Sequence, residues 1–259
     1  MDLIYGIHAV SEALKSRGRA FEYVAVARER HDGRLQRIVQ ECRAAGVPVR
    51  QLSREELNRL APATPHQGVV AVASQKQYCE VEDILAARRG RHALILVLDG
   101  IEDPHNLGAI IRTADAAGVD GVIIPERRAA GVTPVVAKVS AGAVEHLPIA
   151  KVANVGRTLE ELKAHDIWTV GLDERGTQIY DALDYSMDCA LVLGAEGKGL
   201  HEQVRRKCDY LVSIPMLGSV PSLNVSVAAA VVMYEVARQR RTVKTLPQRQ
   251  TPGEDAARR

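Results

Sequence analysis

The chain has 259 residues, of which 46% are hydrophobic and 25% charged, with a formal net charge of +2. Those values describe a globular protein of one large or two small domains, and no apolar run approaches the roughly 20 residues of a membrane span. Aromatics are only 3%, with one Trp and one Phe, which argues against a base-stacking sheet; any bound RNA would be held through Arg, Lys and backbone groups.

The mild positive charge is compatible with nucleic acid but equally with enzymes of small molecules. The opening MDLIYGIHAVSEAL lacks the basic and apolar regions of a secretory signal. Cys42, Cys79, Cys189 and Cys208 stand alone, without CxxC spacing. They read as the reduced thiols of a cytoplasmic protein, with neither a zinc site nor a disulfide framework.

In chain order, Ile7, Val10 and Leu14 space like one helix face, and residues 23–27 read as a short strand. Leu35, Ile38, Val39 and Cys42 predict a second helix, ended by Gly46 before a strand over 47–52. A third helix, 53–60, opens with a capping box of Ser53 and Glu56. A strand over 68–73 closes a small α/β domain, residues 1–75. Arg28, Arg30 and Arg34 crowd one of its connections. Residues 76–91 are polar, carry one short helical pattern, and read as a linker.

The second domain, 92–241, begins with an apolar strand over 94–98 and a polar loop that includes Asn106. A helix over 107–117 carries Arg112, and Gly118 supplies its C-terminal cap. A strand over 121–124 completes a βαβ unit, which predicts a parallel sheet. Residues 132–149 are small and apolar around Lys138, Ser140 and Gly142. A helix over 155–164 and a strand over 167–172 follow, then a polar loop of Asp173, Glu174 and Arg175. The polar stretch 242–259 is expected to be disordered.

Between them, residues 191–232 organise this domain. Two short apolar runs, 190–193 and 210–214, each end in glycine-bearing loops: Gly194, Gly197 and Gly199, then Pro215 and Gly218. Neighbouring loops at strand carboxyl ends form the crevice in which open α/β sheets bind ligands. GAEGKG matches neither the Rossmann nor the P-loop fingerprint, so a nucleotide assignment fails. A bulky side chain at Gly194 is expected to obstruct the ligand and spare the fold. Ser222 stands at an N-cap position before a helix over 224–240, apolar on nearly every face to Val232 and therefore buried on several sides.

LGAEGKGL, IPMLGSVPSLNVSVA and LDGIEDPHNLGAIIRTADAAG (residues 98–118) resemble the three motifs of the SpoU/TrmH (SPOUT) family, RNA 2'-O-ribose methyltransferases that use S-adenosylmethionine. YGIHAVSEAL and HQGVVA further resemble its RlmB branch, which methylates a guanosine of 23S ribosomal RNA. The resemblance covers residues 1 to about 241. It implies an α/β fold with a trefoil-knotted, parallel-sheet methyltransferase domain, and a small N-terminal RNA-binding domain similar to ribosomal protein L30e. The knot rests on resemblance alone, since topology rules make knots rare.

By the same resemblance, main-chain groups at Gly194, Ile214 and Leu223, with Leu193, Met216 and Gly218 beside them, hold S-adenosylmethionine. Arg112 becomes the catalytic candidate, as a base or as a clamp on phosphate and alkoxide. Glu196 would position Asn106 and Arg112, while Ser222 and Asn224 orient ribose or cofactor. Read without the resemblance, Arg112 is a surface charge, Glu196 a partner for Lys198, and Ser222 only a cap. The implied partners are 23S ribosomal RNA, in the peptidyl-transferase P-loop, and a second copy of the chain; no metal and no membrane are implied. A relative that modifies transfer RNA or another ribosomal ribose is the nearest rival. A non-catalytic RNA-binding protein is a more distant one, opposed by intact Asn106, Arg112, Glu196 and Asn224.

Overall fold

The computed structural model describes residues 1–241 apart from His31, Ala63 and Thr64; the tail expected to be disordered, 242–259, lies outside the described residues. The first part runs β1 (Asp2–Tyr5), α1 (Ile7–Ser16), β2 (Phe21–Ala27), α2 (Gly33–Ala45), β3 (Val49–Leu52), α3 (Arg54–Leu60) and β4 (Val69–Ala73). Its sheet has the order β1-β4-β2-β3, with β4 antiparallel to both neighbours and β3 parallel to β2. All five residues of β4 are buried, as a strand between two neighbours and beneath a helix requires. Gly46 closes α2 with φ 69°, and the Ser53–Glu56 capping box opens α3. The strand β1 is new: four residues are too few for an alternation to register in the sequence.

The second part runs α4 (Val81–Ala86), β5 (Leu94–Asp99), α5 (Pro104–Ala117), β6 (Gly121–Pro125), α6 (Pro134–Val139), β7 (Ile149–Val152), α7 (Val155–Ala164), β8 (Trp168–Leu172), β9 (Gln178–Ile179), β10 (Cys189–Gly194), α8 (Glu202–Arg205), β11 (Tyr210–Ser213) and α9 (Val225–Arg240). The strands form one sheet in the order β7-β6-β5-β10-β8-β11-β9, with every pair parallel. Every residue of β5 and β10 is buried, because helices cover both faces of such a sheet. Leu94, Leu96 and Leu98 face the cluster under α5, α6 and α9, while Ile95 and Val97 face α4, α7 and α8. The strand order reverses beside β5 and β10, which sets the ligand crevice at their carboxyl ends.

Two expected boundaries move. Asp103 accepts from the His105 amide and Pro104 takes the first helical position, so α5 starts early and Asn106 lies inside its first turn. At α9 the cap is Asn224, whose side chain accepts from the Ser226 amide, and Ser222 remains in the preceding loop. Burial along α9 is also one-sided. Val225, Ala229, Val232, Met233 and Val236 are buried, whereas Val227 is 48% and Tyr234 53% exposed.

The segment 76–91 packs closely against the larger sheet. Ile84 is 1% exposed and occupies the space that a side chain on Gly121 would take, 2.6 Å from that would-be Cβ. The Val132 amide donates to the Tyr78 hydroxyl at 2.9 Å, and Cys79 bridges in parallel to Ala150. The two sheets meet through a buried ion pair. Arg19 donates to both carboxylate oxygens of Glu145, at 2.9 and 2.7 Å, with both side chains removed from water.

Candidate active site

The site begins where β10 ends. The chain turns back at once: the Gly199 amide donates to the Ala195 carbonyl at 2.9 Å, with Gly197 and Gly199 at φ 72° and 66°. A Cβ on Gly194 would fall 2.1 Å from the Gly199 carbonyl carbon and 2.3 Å from the Leu200 nitrogen. Gly194 is therefore glycine because its own loop folds over it. The expectation that Gly194→Val spares the fold is corrected by this contact, since backbone cannot yield as a flexible side chain does.

A directed chain of hydrogen bonds crosses from this loop to two helix starts. Asn106 Nδ2 donates to Glu196 Oε2 at 3.1 Å, and Asn224 Nδ2 donates to Asn106 Oδ1 at 3.0 Å. Asn224 Oδ1 in turn accepts from the Ser226 amide and hydroxyl, at 2.9 and 2.6 Å. A carboxylate only accepts, so Glu196 fixes which way both amides point. Residues separated by about a hundred positions thus meet at the amino ends of α5 and α9. Ser222 takes no part in this chain.

Three cavities adjoin along the strand ends. One, of about 390 Å³, is lined by Leu193, Gly194, Glu196, Ser222 and Leu223. The next, of about 380 Å³, adds Ile214 and Met216 and shares Asp173, Ser222 and Leu223 with the first. The third, of about 480 Å³, holds Asn106 and Glu196 beside Lys198 and Arg128. Gly218 lies outside these linings, with nothing within 4 Å of where its Cβ would be.

The first two cavities fit S-adenosylmethionine. Their walls are apolar at Leu172, Ile214, Leu223 and Ala228. Among the described residues, the backbone of 215–223 makes no hydrogen bond within the chain, so its amides and carbonyls are available to an adenine edge. Asp173, not singled out as a site residue in the sequence, is buried at their floor. Hydrogen bonds from Arg175 hold its carboxyl below the usual range, so it stays anionic beneath a ligand that carries positive charge.

Arg112 is the exception. It is exposed on α5, about one and two-thirds turns beyond Asn106 and so on a different side of the helix, and outside the cavities just described. It makes no ion pair among the described residues. Glu196 thus contacts Asn106, but not Arg112. The structure also adds a pair unread in the sequence: buried Asp99, at the end of β5, accepts from the His201 amide at 2.8 Å, and the His201 ring nitrogen Nδ1 lies 3.0 Å from its other oxygen. An isolated Asp and a His a hundred residues apart give no sequence signal.

Among the described residues, no cluster of three or more His, Cys, Asp or Glu side chains is placed to hold a metal ion, and no helix is long and apolar enough to cross a membrane.

A crevice at the switch point of a parallel sheet, joined to a separate small domain, is the arrangement of an α/β protein that binds a small ligand at its strand ends. Residues 93–234 match the model of the SpoU rRNA Methylase family, and residues 3–79 match that of RNA 2'-O ribose methyltransferase substrate binding. The chain belongs to the SpoU rRNA methylase family. It is 45% identical over 239 residues to the 23S rRNA (guanosine-2'-O-)-methyltransferase RlmB of Coxiella burnetii, covering 92% of this chain and 95% of the relative. It is 43% identical to YacO of Bacillus subtilis, placed in the TrmH family of tRNA/rRNA methyltransferases, covering 93% and 97%. Among solved structures, the SpoU methyltransferase AviRb of Streptomyces viridochromogenes with AdoMet superposes with a TM-score of 0.77 at 30% identity, covering 92% of this chain and 90% of AviRb.

Proposed function

We propose that this chain methylates the 2'-hydroxyl of a guanosine in the peptidyl-transferase P-loop of 23S ribosomal RNA, in the cytoplasm, as a homodimer. S-adenosylmethionine is the methyl donor and supplies an electrophilic methyl group. The observation that carries the reading is the Glu196–Asn106–Asn224 chain, set between the two-cavity cradle and the opening beside Lys198 and Arg128. Similarity to RlmB supports the substrate, and the trefoil knot goes with the family.

The displacement needs alignment more than covalent help. Gly194, Ile214 and Leu223 offer main chain to the cofactor, flanked by Leu193 and Met216, with Gly218 and Ser222 in the loop above. Glu196 Oε1, which has no partner among the described residues, accepts from the ribose hydroxyl, while Asn106 keeps Glu196 turned toward it. Arg112 acts best as a cation that stabilises charge on the ribose oxygen, because guanidinium resists losing its proton. Its distance from the crevice supports service to a partner subunit. The apolar outer face of α9, with Val227 and Tyr234, suits a second copy, and α5 packs against α9. Residues 1–75 select the RNA.

The test uses ribosomal RNA from a strain lacking the enzyme, with the modified nucleotide mapped by mass spectrometry. A single methylated guanosine in 23S RNA is expected; methylation of transfer RNA instead would move the chain to the rival reading suggested by YacO. Mixed dimers of Arg112→Ala and Glu196→Gln subunits decide where Arg112 acts. Activity regained on mixing, relative to either variant alone, is expected if the partner supplies it, since one site then carries neither change.

A further inference from the structure

A fourth cavity, of about 470 Å³, opens at the carboxyl ends of β5 and β6 beside the start of α7. It shares Gly100, Arg128 and His201 with the cavity that holds Asn106 and Glu196, and no residue with the two that fit the cofactor. The order along the trough is therefore cofactor, reacting hydroxyl, then this pocket. Its lining is cationic: Arg127, Arg128, Arg157 and Lys207.

Its two carboxylates are already committed. Asp99 is buried and bonded to His201. Glu202 is gripped by Arg205 and Arg206 at 2.8 and 2.9 Å, which hold its carboxyl down at about 2. The cations are less occupied. Among the described residues, Arg157 pairs only with exposed Glu161, and Arg127 and Arg128 form no ion pair. Lys207 bonds the Gly156 carbonyl and reaches Glu160 at 3.3 Å.

Arg128 stands at the boundary of the two cavities in a left-handed conformation, φ 55°, which costs a non-glycine residue about 1 kcal/mol. The chain keeps it there by tying the next turn to the loop after β5, where the Ala130 amide donates to the Ile101 carbonyl at 2.7 Å. An unpaired guanidinium held in a strained backbone beside a reacting centre has the character of a binding group.

The geometry points to this pocket as the seat of the RNA phosphate on the 3' side of the target ribose, clamped by Arg127, Arg128 and Arg157. The reason is covalent. The 2'-hydroxyl is borne by the carbon next to C3', so the 3'-phosphate is the charge nearest the reacting oxygen. An RNA with that hydroxyl at Glu196 must carry the phosphate out through an adjoining opening, and the adjoining one is cationic. This rests on the reading of the crevice as a ribose methylation site. It gives the phosphate to the pocket and leaves Arg112 the charge developing on the ribose oxygen.

The test compares full-length wild type with Arg127→Gln/Arg128→Gln and, separately, Arg157→Gln, binding an unmodified 23S fragment by fluorescence anisotropy at stepped KCl. All three side chains are exposed, and unchanged calorimetric affinity for S-adenosylmethionine will show that the crevice is intact. Each lost phosphate contact on a single strand lowers the salt slope by about 0.7. A shallower slope and roughly tenfold weaker binding are expected for the double variant, with a smaller loss for Arg157→Gln. A methylphosphonate at the linkage 3' to the methylated nucleotide should weaken wild type and add nothing in the double variant. Wild-type slopes in both variants, or a methylphosphonate penalty of equal size in wild type and double variant, overturn the proposal. Binding is read without turnover, so a wild type that binds this RNA and leaves it unmethylated refutes the methylation reading instead.

Discussion

Asn224 performs two tasks with one amide: its oxygen caps α9 and its nitrogen orients Asn106. Asn224→Asp separates them. Aspartate caps as well as asparagine, so thermal stability should hold within about 0.5 kcal/mol. The donor to Asn106 is lost and a negative charge is added near Glu196, so turnover should fall about tenfold or more, the worth of one good hydrogen bond. Equal turnover at equal stability would remove Asn224 from the positioning chain. Gly194 makes the opposite case. Gly194→Ala puts a methyl into the backbone of residues 199–200 and should cost about 1–3 kcal/mol by urea denaturation, with cofactor affinity lost alongside it. The glycine itself was visible in the sequence. Its reason was not, because the obstructing atoms belong to the return of the same loop.

At the scale of elements, α9 shows what an apolar composition leaves open. The run from Val225 to Val232 predicts burial all round, yet the structure buries one side against α5 and the sheet and leaves Val227 and Tyr234 out. That exposed face is where a second copy is expected. Val227→Glu/Tyr234→Glu should shift the protein from dimer to monomer by light scattering at micromolar concentration, since a charge there cannot be matched across a twofold contact. A wild type that already scatters as a monomer would end the proposal. The far end of the helix is fixed separately. Arg240 donates to the carbonyls of Tyr185, His92, Ala93 and Met187, so the charges introduced at Val227 and Tyr234 should leave the fold in place.

At the scale of the whole molecule, the two sheets are coupled by Arg19 and Glu145, 126 positions apart. Removing one partner of a buried pair leaves an uncompensated charge, and Arg19→Met should destabilise by about 3–5 kcal/mol. Arg19→Met/Glu145→Leu, which removes both charges, should recover most of that in chemical denaturation. Full additivity of the two single changes would show that the pair is not coupled. The same packing governs truncation: a chain begun at Arg88 loses Ile84 from beside Gly121, whereas one begun at Lys76 keeps it.

What the sequence determined is what local rules and long motifs carry. The unbroken apolar runs of β5 and β10 mark a parallel, doubly covered sheet, and Gly46, Gly118 and the Ser53–Glu56 pair mark helix ends through contacts within a few residues. The motifs marked the family, and with it Asn106, Glu196 and Asn224. Only the tertiary structure decided which of these residues touch. The hydrogen-bond chain spans separations of 90 and 118 residues, Arg112 stands apart from it, and Asp99 meets His201 across 102. Such meetings depend on strand order, in which β10 is inserted beside β5, and no periodicity along the chain encodes that order.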